Sequence, residues 1–198
     1  GLRSLTLDFS SQRTRQAREM NYFRLALPAL AENLSFFKIH YANCVLGRFE
    51  IYHLKLSLEC LVNLRQFSFS VYDCTTKEYI FQNLSTGLIK LKKLESLVMN
   101  FDFCSGSTNR SVKLLTQGIS RLENLKSLEL SFDGCRQVDE RGLLVLLTDI
   151  KILKKLEILK LKFEMMNDCG LKYLEDGIKF IPGLKDVLLV TLLTQKYA

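Results

Sequence analysis

The stretch LKKLESLVMNFDFCS, residues 91–105, contains a change of period that decides the fold. From Leu97 onward apolar residues alternate: Leu97, Met99 and Phe101 go one way and Val98, Asn100 and Asp102 the other, the pattern of a strand with one buried face. Upstream the spacing is that of a helix, since Phe81, Leu84, Leu88, Leu91 and Leu94 step by three and four and so share one face. The frame L-x-x-Φ-x-Φ-x-Φ recurs in LRSLTLDF, LSFFKIHY, LRQFSFSV, LESLVMNF, LKSLELSF, LEILKLKF and LKDVLLVT, whose first leucines are Leu2, Leu34, Leu64, Leu94, Leu125, Leu156 and Leu184.

The helical ladder recurs with it, as Ile51, Leu54, Leu58, Leu61, Leu64; Val112, Leu115, Ile119, Leu122, Leu125; Leu143, Leu146, Ile150, Leu153, Leu156; and Leu171, Leu174, Ile178, Ile181, Leu184. Before the second strand the ladder is Met20, Phe23, Leu27 and Leu30, after which Leu34 arrives one residue late. A strand and a helix of these lengths cannot bury both apolar faces alone, so consecutive units must stack. The expected architecture is an α/β solenoid of six to seven repeats, curved, with parallel strands on its concave side and helices on its convex side.

The repeat resembles that of the ribonuclease-inhibitor class of leucine-rich-repeat proteins. The likeness extends to QVDERGLLVLL (137–147) and MNDCGLKYL (166–174), which are similar to the family's Asp-x-Gly entry into the helix. It implies one leucine-rich-repeat domain over 1–198, a non-catalytic protein-binding module. The family places Asn or Cys eight residues after the first leucine. Here that place holds Ser10, Ala42, Tyr72, Asp102, Asp133 and Glu164, and the cysteines fall two residues later, so a different turn is expected.

Four of the six cysteines, Cys44, Cys74, Cys104 and Cys135, thus occupy one repeat position. Copies of a position in adjacent coils lie roughly 5 Å apart, so these thiols should form a packed column of small hydrophobes. Pairwise disulfides would need neighbouring loops strained to a particular separation. Zinc would find no C-x-x-C pair and only His40 and His53 as partners, so no metal is expected. Unpaired thiols point to a reducing, intracellular compartment, with the cytoplasm the expectation.

With 47% hydrophobic and 25% charged residues, the chain has the balance of a folded protein with a substantial core. Every leucine-rich run is broken by Lys, Glu or Asp, so no transmembrane segment is expected. The chain starts at Gly1 inside a repeat, which suggests a fragment of something longer. The formal charge of +7 raises nucleic-acid binding, but Arg13, Arg15, Arg18 and Arg24 lack interleaved aromatics for stacking, and Lys151, Lys154 and Lys155 suit a helix C-terminus. A protein partner is expected and nucleic acid is not.

The outward strand positions form the candidate binding face. One column runs Thr6, Lys38, Ser68, Val98, Glu129, Lys160, Leu188; its neighbour runs Asp8, His40, Ser70, Asn100, Ser131, Lys162, Val190; Tyr72, Asp102 and Asp133 lie at the edge. Leu188, Val190 and Leu192 leave the last strand apolar on the outward face and form a candidate end interface. The sequence contains no set of residues arranged for catalysis or for holding a cofactor, so no enzyme and no cofactor are expected. Two functional expectations follow: a scaffold or structural subunit of a larger intracellular assembly, or a substrate receptor of a ubiquitin ligase, since the Cys-bearing repeats are similar to those of F-box leucine-rich-repeat proteins. Ribonuclease inhibition follows from the family name alone.

Overall fold

Strands form wherever the alternation marks them: β1 (Ser4–Ser10), β2 (Phe36–Ala42), β3 (Gln66–Tyr72), β4 (Ser96–Asn100), β5 (Ser127–Phe132), β6 (Ile158–Met166) and β7 (Asp186–Leu193). A computed structural model describes residues 1–10, 25–27, 29–166 and 168–193. Among the described residues the helices α1 (Arg48–Cys60), α2 (Glu78–Leu88), α3 (Asn109–Ile119), α4 (Glu140–Ile150) and α5 (Asp168–Ile178) alternate with the strands, and residues 25–27 and 29–30 are helical as well. Met20, Phe23 and the arginines at 13, 15, 18 and 24 lie outside the described residues.

The seven strands make one sheet in the order β1 to β7, every pair parallel. The protein is a leucine-rich-repeat solenoid. The helices pack on one another in the same order as the strands, so sheet and helix row flank one interior.

The leucine ladders close the interior. Ile51, Leu54, Leu58, Leu61 and Leu64 are fully buried, as are their counterparts from Leu88 to Leu125. Burial fades toward both ends: Leu5, Leu7 and Phe9 of β1 and Leu30 are half-buried, and so are Leu171, Leu174, Ile178 and Leu184 of the last coil. An aromatic spine crosses the coils: Phe9 to Tyr41 at 5.2 Å between ring centroids, Tyr41 to Phe69 at 6.1 Å, Phe69 to Phe101 at 5.8 Å, Phe101 to Phe132 at 5.2 Å and Phe132 to Phe163 at 6.0 Å. Val71 interrupts the aromatic column, and Phe69, two residues earlier on the same strand, bridges the gap.

Register is fixed at both ends of each strand. At the entry, one carbonyl accepts two N–H groups from the next coil: Arg65 O from Glu95 and Ser96 at 2.7 and 3.0 Å, Glu95 O from Lys126 and Ser127, and Lys126 O from Glu157 and Ile158. At the exit, Asn43, Asp73, Phe103 and Gly134 have φ of 54°, 50°, 57° and 71°, in the left-handed region. Asn43 N donates to Tyr72 O and Asp73 N to Asp102 O, each at 3.0 Å.

This turn is the departure the cysteine spacing implied. The left-handed residue breaks the in-out alternation, so the next side chain, the cysteine, points inward. Cys44, Cys74, Cys104 and Cys135 are all buried and form no disulfide. Their thiols satisfy loop carbonyls: Cys135 Sγ donates to Phe101 O at 3.0 Å, Cys104 Sγ to Val71 O at 3.4 Å and Cys74 Sγ to Tyr72 O at 3.3 Å. Burial pushes the Cys104 thiol up to about 12 and that of Cys135 to about 11, and Cys74 is raised further by its contact with Cys44. Cys60 and Cys169 are exposed on helices.

Candidate functional site

The two outward columns assemble coil by coil. Thr6, Lys38, Ser68, Val98, Glu129, Lys160 and Leu188 are successive partners across the sheet, as are Asp8, His40, Ser70, Asn100, Ser131, Lys162 and Val190. Lys38 and Tyr72 are exposed; His40, Ser68, Ser70, Val98, Asn100, Glu129, Asp133, Lys160 and Lys162 are half-buried. Leu188 is 49% and Val190 44% exposed. The Leu192 side chain lies outside what is described.

Two of the expected surface residues need correction. Asp102 and Ser131 are buried, at 8% and 7% exposure, because the turn folds the Asp102 carboxylate back over the neighbouring coil. There it accepts from the Ser131 hydroxyl, from Asp133 N at 3.1 Å and from Asn100 Nδ2 at 2.9 Å, while Asp102 N donates to Asn100 Oδ1 at 2.8 Å. A buried carboxylate needs such donors to offset its desolvation. Asp102 and Ser131 therefore brace the face from beneath.

Lys162 reaches Asp133 Oδ2 at 2.8 Å, and this carboxylate, helped by Asp102, raises the Lys162 ammonium above its usual range. Beside this pair a shallow depression of about 280 Å³ is lined by Asn100, Glu129, Lys160 and Lys162 on one side and by Leu188 and Val190 on the other. Among its polar groups Asn100, Asp102 and Ser131 are bonded to one another and Lys162 to Asp133, and its apolar edge is open, the make-up of a contact surface with an apolar core and a polar rim.

Two features escaped the sequence reading. At the strand entry, Arg65 and Lys126 both hold Glu95, Lys126 at 2.8 Å, and together they keep its carboxyl below the usual carboxylate range. This ion-pair group sits in the residue that follows each first leucine, where Arg65, Glu95, Lys126, Glu157 and Lys185 alternate in sign. At the strand exit, Tyr72 and Phe103 stack edge to face with centroids 5.4 Å apart, and both are exposed, at 44% and 49%. The signal for the second was Phe103 itself, standing where the neighbouring coils have Asn43, Asp73 and Gly134. Among the described residues no cluster of His, Cys, Asp and Glu fits a metal ion, and no helix is long and apolar enough to cross a membrane.

No protein-family model matches the chain, and no curated protein sequence matches it. Among solved structures it is similar to an internalin from Listeria monocytogenes, with a TM-score of 0.44 and 18% identity over 94% of this chain and 47% of that one. It is also similar to the TLR13 chain of a TLR13–ssRNA13 complex, with a TM-score of 0.34 and 14% identity over 99% of this chain and 34% of that one.

Proposed function

We propose that the protein is a non-catalytic interaction module, a scaffold or structural subunit that joins a larger intracellular assembly through the outward face of its sheet and its last strand. The observation that carries this reading is the depression where Lys160 and Lys162 meet the exposed Leu188 and Val190. Exposed aliphatic side chains beside a fixed polar network gain free energy when a partner removes them from water. The burial of four unpaired cysteines in one column supports a reducing compartment, and the repeat length supports the ribonuclease-inhibitor class.

The test is affinity purification of the tagged protein and of its Leu188→Lys, Val190→Lys double variant, with stoichiometry by quantitative mass spectrometry. A stable complex near equal stoichiometry that the double variant loses is the expected result. Recovery of ubiquitin-ligase subunits with the bait would replace the scaffold reading by the substrate-receptor one, and a monodisperse protein without partners would overturn both.

A further inference from the structure

We propose that the helix-to-strand edge of the solenoid, formed by the turns 89–95, 120–126 and 151–157, is a second contact surface, one that takes an acidic segment of a protein partner. It lies apart from the sheet face and stands whatever covers Leu188 and Val190.

The three turns repeat one design. Each follows a helix directly and runs straight into a strand, and each buries its two ladder leucines: Leu91 and Leu94, Leu122 and Leu125, Leu153 and Leu156. Together the turns carry eight Lys and Arg against three Glu, so 21 residues hold +5 of the chain's net +7, and all eight cations are exposed. Helix dipoles account for few of them. A dipole acts within the last turn of its helix, and Lys92 and Lys93, like Lys154 and Lys155, stand four and five residues past the helix ends at Leu88 and Ile150.

The charge is also uncompensated. Of the eight, Lys126 alone forms an ion pair among the described residues, and it shares Glu95 with Arg65. Lys93 and Lys155 donate to amides of the preceding coil, Lys93 Nζ to Asn63 Oδ1 at 2.7 Å and Lys155 Nζ to Asn124 Oδ1 at 2.6 Å. A neutral acceptor fixes an ammonium without cancelling its charge, and a side chain already fixed has less freedom to lose on binding. Both lysines line a depression of about 240 Å³ together with Arg65, Glu95, Asn124 and Lys126, so four cations there surround one carboxylate.

Charge therefore selects an anion, and the glutamates select its class. Glu95, Glu123 and Glu157 place one carboxylate in each turn. A nucleic-acid strand bears a charge at every nucleotide and carries its phosphates past all three, whereas a polypeptide sets acidic residues over the lysines and neutral ones over the glutamates. None of the three turns contains an aromatic residue on which a base could stack.

The test is fluorescence anisotropy with a labelled peptide of alternating glutamate and glycine, beside its glutamine–glycine counterpart and an oligouridylate of equal charge, at increasing salt. The glutamate peptide should bind tightest and be released as salt rises, and the Lys93→Gln, Lys155→Gln double variant should weaken it about tenfold. Lys38→Gln with Lys113→Gln makes the same change of net charge on the sheet face and on α3, and should alter binding by no more than about twofold. Equal loss from the two double variants would show that net charge alone attracts the peptide, and would overturn the edge. Tighter binding of the oligouridylate, or of phosphatidylserine vesicles in sedimentation, would overturn a protein segment as its occupant.

Discussion

The thiols of Cys44 and Cys74 touch, Sγ to Sγ at 3.3 Å, with Cys44 N also donating to Cys74 Sγ at 3.3 Å. The contact belongs to a column whose members serve carbonyls of their own and the neighbouring coil, so each thiol does in the interior what water would do outside. The ionised form has no place there, which is why burial raises Cys104 and Cys135.

A direct consequence is selective reactivity. A thiol-specific chromogenic reagent at pH 8 should modify Cys60 and Cys169 quickly and the four column cysteines only as the protein unfolds, when the reagent counts six. Prompt reaction of more than two thiols in the native protein would contradict the column. The same shifts set a pH dependence. A thiol whose folded value lies above its unfolded value of about 8.5 favours the fold below that pH and loses the advantage as pH rises toward the folded value. Stability should therefore fall between about pH 8.5 and 12, and replacing Cys104 and Cys135 by Ala should flatten that fall in urea titrations read at several pH values.

Close helix packing makes a second prediction. A Cβ on Gly118 would sit 2.4 Å from the carbonyl oxygen of Ser85 and 2.7 Å from its Cα, both backbone atoms of α2 that cannot step aside. Gly118→Ala should cost about 1–3 kcal/mol of overpacking, more than the ~1 kcal/mol that alanine returns in helix propensity. At Gly87 the nearest atoms are Leu58 Cδ1 at 3.0 Å and Leu58 Cβ at 3.1 Å, tight but less so than at Gly118, so Gly87→Ala should be milder. Equal melting temperatures for the Gly118 variant and the parent would refute the close approach.

The aromatic spine separates size from polarity. The Tyr41 hydroxyl is fully buried with no hydrogen-bond partner among the described residues, and burial holds its pKa well above the usual value. Tyr41→Phe should be neutral or stabilising by about 1 kcal/mol, since it removes an unsatisfied polar group and leaves the ring on Phe9 and Phe69. Phe69→Ala, by contrast, opens the bridge across Val71 and should cost about 3–5 kcal/mol. Urea midpoints order the two, and a loss on Tyr41→Phe would show that the hydroxyl is satisfied after all.

Both columns of the sheet face were legible in the sequence from Thr6 to Val190, because a period of two and a repeat near thirty residues leave one register that turns the ladder leucines inward. Burial just past the strand was not legible. Whether Asp102 faces water depends on the left-handed turn at Phe103, and hydrophobic periodicity carries no information about a residue that turns. The alternation of Arg65, Glu95 and Lys126 could have been read, since each follows a first leucine, but it lies outside the strand pattern on which attention falls.

That turn makes Asp102 the most telling position on the face. Its Oδ1 receives the Ser131 hydroxyl and Asp133 N, and its Oδ2 receives Asn100 Nδ2. Asp102→Ala strands three donors in a half-dry site and should cost about 1–3 kcal/mol. Asp102→Asn keeps an acceptor for Ser131 and Asp133 but sets its own amide nitrogen against that of Asn100, a conflict that a flip of Asn100 relieves only by turning an amide toward Asp102 N. The Asn variant should therefore lose part of that stability, and pairing it with Asn100→Asp, which restores an acceptor opposite the new amide, should recover much of it at pH 7. A double-mutant cycle in urea measures the coupling. Strict additivity of the two substitutions would show that the Asn100–Asp102 bond contributes nothing to holding the exit turn against the sheet.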